Sequence, residues 1–80
     1  MLELITQIPG TDKRVKTVEV KEGKYIICVQ HDASRLANPH PWEVEEDGWR
    51  SFRIESANRL SDAYDIHDRC VGYEFRHMMQ

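Results

Sequence analysis

The stretch Trp42 to Leu60, WEVEEDGWRSFRIESANRL, decides how this chain folds. Asp47 and Gly48 are a strong signal for a type I′ turn, since both central positions of that turn need positive φ and aspartate and glycine tolerate it. The flanking residues then read as a β-hairpin. Its register places Glu45 across from Arg50, Val44 across from Ser51 and Trp42 across from Arg53. Acids therefore face arginines, which predicts a cross-strand ion pair for Arg50 and stacking on an indole for Arg53. Each is worth at most about 1 kcal/mol on an exposed surface.

Downstream of Ile54 the apolar spacing becomes helical. Ser56 is the expected N-cap, and Ala57, Leu60, Tyr64, His67 and Val71 fall on one stripe, so a helix is expected over about 56–70 with Gly72 ending it. Tyr73, Phe75 and His77 then alternate with Glu74, Arg76 and Met78, which reads as a short returning strand. Upstream, residues 2–8 (LELITQI) form a first strand at a sheet edge, stopped by Pro9 and Gly10. Residues 15–21 and 24–31 form a hairpin about Glu22 and Gly23. With that turn, Val20 faces Tyr25, Val18 faces Ile27 and Lys16 faces Val29. One face then collects Val18, Val20, Tyr25, Ile27 and Val29 as core, and Thr17, Glu19, Ile26 and Cys28 take the other. Residues 32–41 read as a loop opened by Asp32.

The expected fold class is α+β: a small antiparallel sheet, or an SH3/Sm-like roll, of four to six strands built from two hairpins, with one helix near 56–70. Eighty residues support one domain, 1–80, with a single core. A chain that is 40% hydrophobic and 31% charged lies outside the composition of disordered chains, so it is expected to fold. No apolar run approaches the roughly 20 residues of a membrane span, and residues 1–10 lack the pattern of an export signal. A cytoplasmic location with Cys28 and Cys70 reduced is expected by default. The net charge of −3 argues against general coating of nucleic acid, which needs positive surface to displace counterions, although Arg50, Arg53 and Arg59 leave room for a local basic patch.

Two pairs with matching spacing, Cys28 with His31 and His67 with Cys70, use the residue types of a structural zinc site. Against this, Cys28 and His31 lie on a strand, where odd offsets point to opposite faces, so the site requires a bulge near residue 30. A small buried cysteine and a partly buried histidine on the helix stripe is the simpler expectation. No nucleophile has a base and an orienting acid in a recognisable arrangement, and no glycine-rich phosphate loop occurs. Asp62, Asp65 and Asp68 read as a solvated helix face, and no enzymatic activity and no cofactor are expected.

The segment KYIICVQH, residues 24–31, followed by GWRSFRI, residues 48–54, resembles the core of WYL domains, in which a "WYLVAY"-type strand precedes "WRTFRLDRI". Residues 14–20 are similar to the strand before it, so the resemblance covers about residues 2–60. The eponymous triplet is Lys24, Tyr25 and Ile26 here, and residues 55–59 replace the short step that carries the family's next arginine. The resemblance implies an Sm- or SH3-like small barrel. It also implies that Arg50 and Arg53, with Tyr25 and Phe52, face a nucleotide or nucleic-acid ligand.

A second function class fits as well. A short acidic α+β chain without catalytic apparatus suits a phage- or mobile-element-encoded inhibitor that binds a host or cellular protein by surface complementarity. The binding residues are then Trp42, Glu43, Glu45, Glu46, Asp47 and Trp49. An edge strand at residues 2–8 also suits pairing across a homodimer.

Overall fold

The computed structural model describes residues 1–34 and 44–78. Five strands, β1 (Glu3–Gln7), β2 (Lys13–Lys21), β3 (Lys24–Asp32), β4 (Val44–Glu46) and β5 (Trp49–Ala57), precede one helix, α1 (Leu60–Met78). The strands form one antiparallel sheet in the order β1-β2-β3-β5-β4, curled toward the helix. This is an α+β fold, as the two-hairpin pattern implies. In chain order β4 follows β3, but in the sheet β4 is the far edge and the β4–β5 hairpin places β5 beside β3. Asp32 is the last residue of β3, and the rest of the loop expected over 32–41 lies, from residue 35, outside the described residues. Among the described residues, no helix is long and apolar enough to cross a membrane.

The second hairpin forms in the expected register, Glu45 opposite Arg50 and Val44 opposite Ser51. Asp47 at φ 53° and Gly48 at φ 81° have the positive φ values a type I′ turn needs. The first hairpin departs by one residue. Glu19 pairs with Tyr25 and Lys21 with Lys24, so Val20 is the extra residue of a bulge. Beyond the bulge every β2 side chain changes face relative to the expected register. Val15 and Thr17 are buried, Val18 lies on the opposite side, and Val20 is exposed. The turn residues announce the hairpin; the bulge that sets its register has no comparable local signature.

The helix also differs from its expected limits. β5 continues to Ala57 because Ser56 and Ala57 pair with Ile26 and Tyr25, so Ser56 is a strand residue rather than an N-cap. The first helical turn closes on the carbonyl of Arg59, which accepts from the amide of Ala63 at 3.0 Å. At the other end the helix runs through Gly72 to Met78, and the strand expected over Tyr73–His77 is its last turns. The buried stripe Ala63, His67, Cys70, Glu74 continues at helical spacing past the glycine. Glu74 can extend it because its carboxylate meets Lys13 and Arg53, at 3.4 and 3.5 Å. A stripe that runs through an acid does not read as apolar from sequence.

The helix packs on β2, β3 and β5. Between them lies the core of Ile8, Val15, Tyr25, Ile27, Val29 and Ala57 from the sheet, with Ala63 and Cys70 from the helix. At its centre the imidazole of His67, 1% exposed, bridges two threonine hydroxyls. Nε2 is 2.9 Å from Thr6 Oγ1 and Nδ1 is 2.7 Å from Thr17 Oγ1. Burial pushes its pKa below that of a free histidine.

Candidate functional site

The sheet has a helix side and an outer side, and the chemistry-bearing residues divide between them. On the helix side, one irregularity in β5 is decisive. Val29 pairs with Arg53 but Gln30 pairs with Ser51, leaving Phe52 as the extra residue of a bulge. Strict alternation would send Phe52 and Arg53 to opposite faces; the bulge lets both address the helix side, together with Arg50. Phe52 meets the ring of His31 edge-on at 4.9 Å, with the Lys13 ammonium 5.6 Å from its centroid. Arg53 reaches Glu74 and lies 4.8 Å over the Tyr73 ring. The buried Glu74 thus holds Lys13 and Arg53 together.

Next to this cluster, between β5 and α1, is a cavity of about 410 Å³ lined by Arg53, Glu55, Ile66, Arg69, Cys70, Tyr73 and Arg76. Arg69 lies at the middle of the helix and Arg76 two turns further on, so the extension through Gly72 is what brings Tyr73 and Arg76 to the site. Burial raises the pKa of the Cys70 thiol, and the neighbouring Glu55 carboxylate, 3.6 Å from Sγ, raises it further. Cys70 is therefore held as a thiol, unsuited to nucleophilic work at neutral pH.

The outer side is built by the alternate residues. Pairing aligns Ile5, Lys16, Cys28 and Ile54 in one row, and Glu3, Val18, Ile26 and Ser56 in the next. No helix covers this face among the described residues, and Ile5 and Ile54 remain 43% and 48% exposed. Toward the β4 edge the guanidinium of Arg14 stacks 4.0 Å from the Trp49 ring. Its Nε also donates to Gln30 at 2.8 Å, and Gln30 donates on to Ser51 at 3.1 Å. Glu46, paired with Trp49, shares this side, whereas Glu45 turns to the helix side and meets Arg50 at 3.3 Å.

The structure groups the expected residues selectively. The Glu45–Arg50 ion pair forms. Arg53 stacks on Tyr73, and Arg14 stacks on the Trp49 indole; Trp42, the indole expected opposite Arg53, and Glu43 lie outside the described residues. Arg50, Phe52 and Arg53 share the helix side, but Tyr25 is buried beside Ala57, four positions from Val29 and so roughly 13 Å along the strand from Arg53. The four zinc-type residues do not assemble. Cys28 points to the outer side while His67 and Cys70 are in the helix-side core, both nitrogens of His67 are engaged by threonines, and no metal-ligating group forms among the described residues. The bulge that a ligand pair on β3 would require lies instead across the ladder, in β5.

Lys13, Arg14, Gln30, Arg69, Tyr73, Glu74 and Arg76 were not legible as site residues. The helical spacing of Arg69, Tyr73 and Arg76 is the one signal that places them together, and it is visible only once the helix is carried past Gly72. Compared with family models, curated proteins and solved structures, the chain finds no match. The WYL resemblance therefore rests on the sequence alone, mainly on residues 24–31 and 48–54.

Proposed function

We propose that this chain is a small non-enzymatic binding protein that occupies a surface of a host or cellular protein in the cytoplasm, in the manner of inhibitors encoded by phages and mobile elements. The observation that carries this reading is the outer face of the sheet, which no helix covers among the described residues. Ile5, Val18, Ile26, Cys28 and Ile54 are gathered there at neighbouring pairing positions around Lys16, Ile5 and Ile54 exposed and the other three half-buried, and clustered exposed apolar surface on a small domain marks an interaction site. Trp49 adjoins it, stacked against Arg14, and the exposed acids Glu46 and Asp47 lie at its rim. An apolar centre with an aromatic anchor and a charged rim is the common anatomy of protein interfaces. The unpaired edge of β1 also suits strand addition, including by a second copy of the chain.

The test is capture of a stoichiometric protein partner that survives nuclease, followed by affinity measurement with Ile54→Asp and with the pair Glu46→Lys and Asp47→Lys. The first substitution should abolish the complex. The second should slow association and flatten its salt dependence. Unaltered affinity in Ile54→Asp would refute the reading. The WYL-like alternative, a module for a nucleotide or nucleic acid, draws support from Arg50, Phe52 and Arg53 sharing the helix side, and it loses Tyr25 from the expected ligand set.

A further inference from the structure

We infer that the cavity between β5 and α1 is a binding site for a small phosphate monoester with an apolar or aromatic body. This goes beyond the protein-binding reading and is independent of it, since the cavity lies on the opposite side of the sheet from the proposed interface. Two of its three arginines and its tyrosine belong to the helix, outside the segment that carries the WYL resemblance.

Charge is the first argument. The lining holds Arg53, Arg69 and Arg76 against the single carboxylate Glu55, an excess of two positive charges in a chain whose net charge is −3. Internal pairing accounts for Arg53, through Glu74, but not for Arg69 and Arg76. The ion pairs among the described residues engage Lys13, Arg50, Arg53 and Arg59, and leave Arg69 and Arg76 without a carboxylate partner. Arg69 has only a long bond, 3.5 Å, from Nε to the carbonyl of Asp65. Arg53 is tethered through Nη2 to Glu74, yet its Nε is buried with no acceptor. A phosphate monoester brings close to two negative charges at neutral pH and several acceptor oxygens, which matches both the charge excess and the donors left over.

Shape is the second argument. A volume of about 410 Å³ is within the range of small-molecule sites. Ile66, Cys70 and the Tyr73 ring give part of the lining an apolar character, against which an organic group can lie while the phosphate meets the arginines at the rim. Arg53, stacked on Tyr73, links the two parts. Inorganic phosphate alone would leave that apolar lining unused.

The experiment is titration of the full chain with adenosine monophosphate and, separately, with inorganic phosphate, followed by ³¹P NMR and by the arginine Nε–H resonances. The monophosphate should bind with a Kd below about 1 mM, and about tenfold more tightly than inorganic phosphate. The double variant Arg69→Gln and Arg76→Gln should weaken it by about tenfold or more, as expected for lost charge-assisted hydrogen bonds. Both side chains are exposed, so the variant should melt as the parent does. Arg59→Gln, which removes a charge outside the cavity, should leave binding unchanged. Equal binding of the two phosphates, equal weakening by Arg59→Gln, or retention of affinity in the double variant would each overturn the assignment. None of these results bears on Ile54→Asp, so the two proposals fail separately.

Discussion

Replacing Thr17 by valine removes one hydroxyl from the centre of the core and leaves its shape nearly unchanged. Thr17 is fully buried, and its Oγ1 is 2.7 Å from His67 Nδ1. Valine supplies neither donor nor acceptor, so a ring nitrogen buried in the core loses its partner, at a cost of about 1–3 kcal/mol. In a domain of this size each kcal/mol moves the melting temperature by roughly 4–8 °C, so the middle of that range predicts a loss of roughly 10 °C. The same substitution in a His67→Leu background should cost much less, because no nitrogen remains to be orphaned, and the difference is the coupling energy of the pair. A pH dependence follows from the same burial. His67 takes up its proton at a lower pH in the folded chain than in the unfolded one, whose histidine titrates near 6.5. As pH falls through about 6.5 the unfolded state binds more protons, so stability drops between about pH 7 and 5; above pH 7 the group is neutral in both states and contributes no slope. Thermal denaturation of the parent, Thr17→Val, His67→Leu and the double variant between pH 5 and 8 measures both effects. A Thr17→Val penalty below about 0.5 kcal/mol, or an acid limb equally steep in His67→Leu, would refute this account of the core.

The remaining expectations concern the helix and the thiols. Gly72→Ala should stabilise the chain by roughly 0.5–1 kcal/mol in denaturant unfolding, because Gly72 is inside the helix and a Cβ there would meet only the end of Arg76 at 3.9 Å. Destabilisation would mean instead that the helix ends at a left-handed glycine. Burial raises the pKa of both cysteines, with Glu55 adding to the effect at Cys70. Iodoacetamide near pH 7.5, followed by intact mass, should modify both more slowly in the folded chain than in urea, with the buried Cys70 the slower; rapid labelling of Cys70 would contradict its place in the core.

What the sequence determined by itself is local. Asp47 and Gly48 dictate a turn through backbone sterics, and that turn delivers the pairing of Glu45 with Arg50 without reference to the rest of the chain. Glu22 and Gly23 announce the other hairpin, and β-branched runs on either side make both of them strands, so the α+β class and the pair of hairpins were legible. Tertiary structure decided where local rules are neutral. The bulges at Val20 and Phe52 exist because long ladders must match a curled sheet, and each changes which side chains face the helix; a one-residue shift is invisible in an alternating pattern. The helix continues beyond Gly72 because Lys13 and Arg53, distant in sequence, neutralise Glu74 on its buried stripe. That extension brings Tyr73 and Arg76 to Arg53 and Arg69, so the cavity depends on contacts across the fold that no stretch of the chain encodes alone. His67 joins the core for the same reason: Thr6 and Thr17, from two different strands, supply the hydrogen bonds that make its burial tolerable.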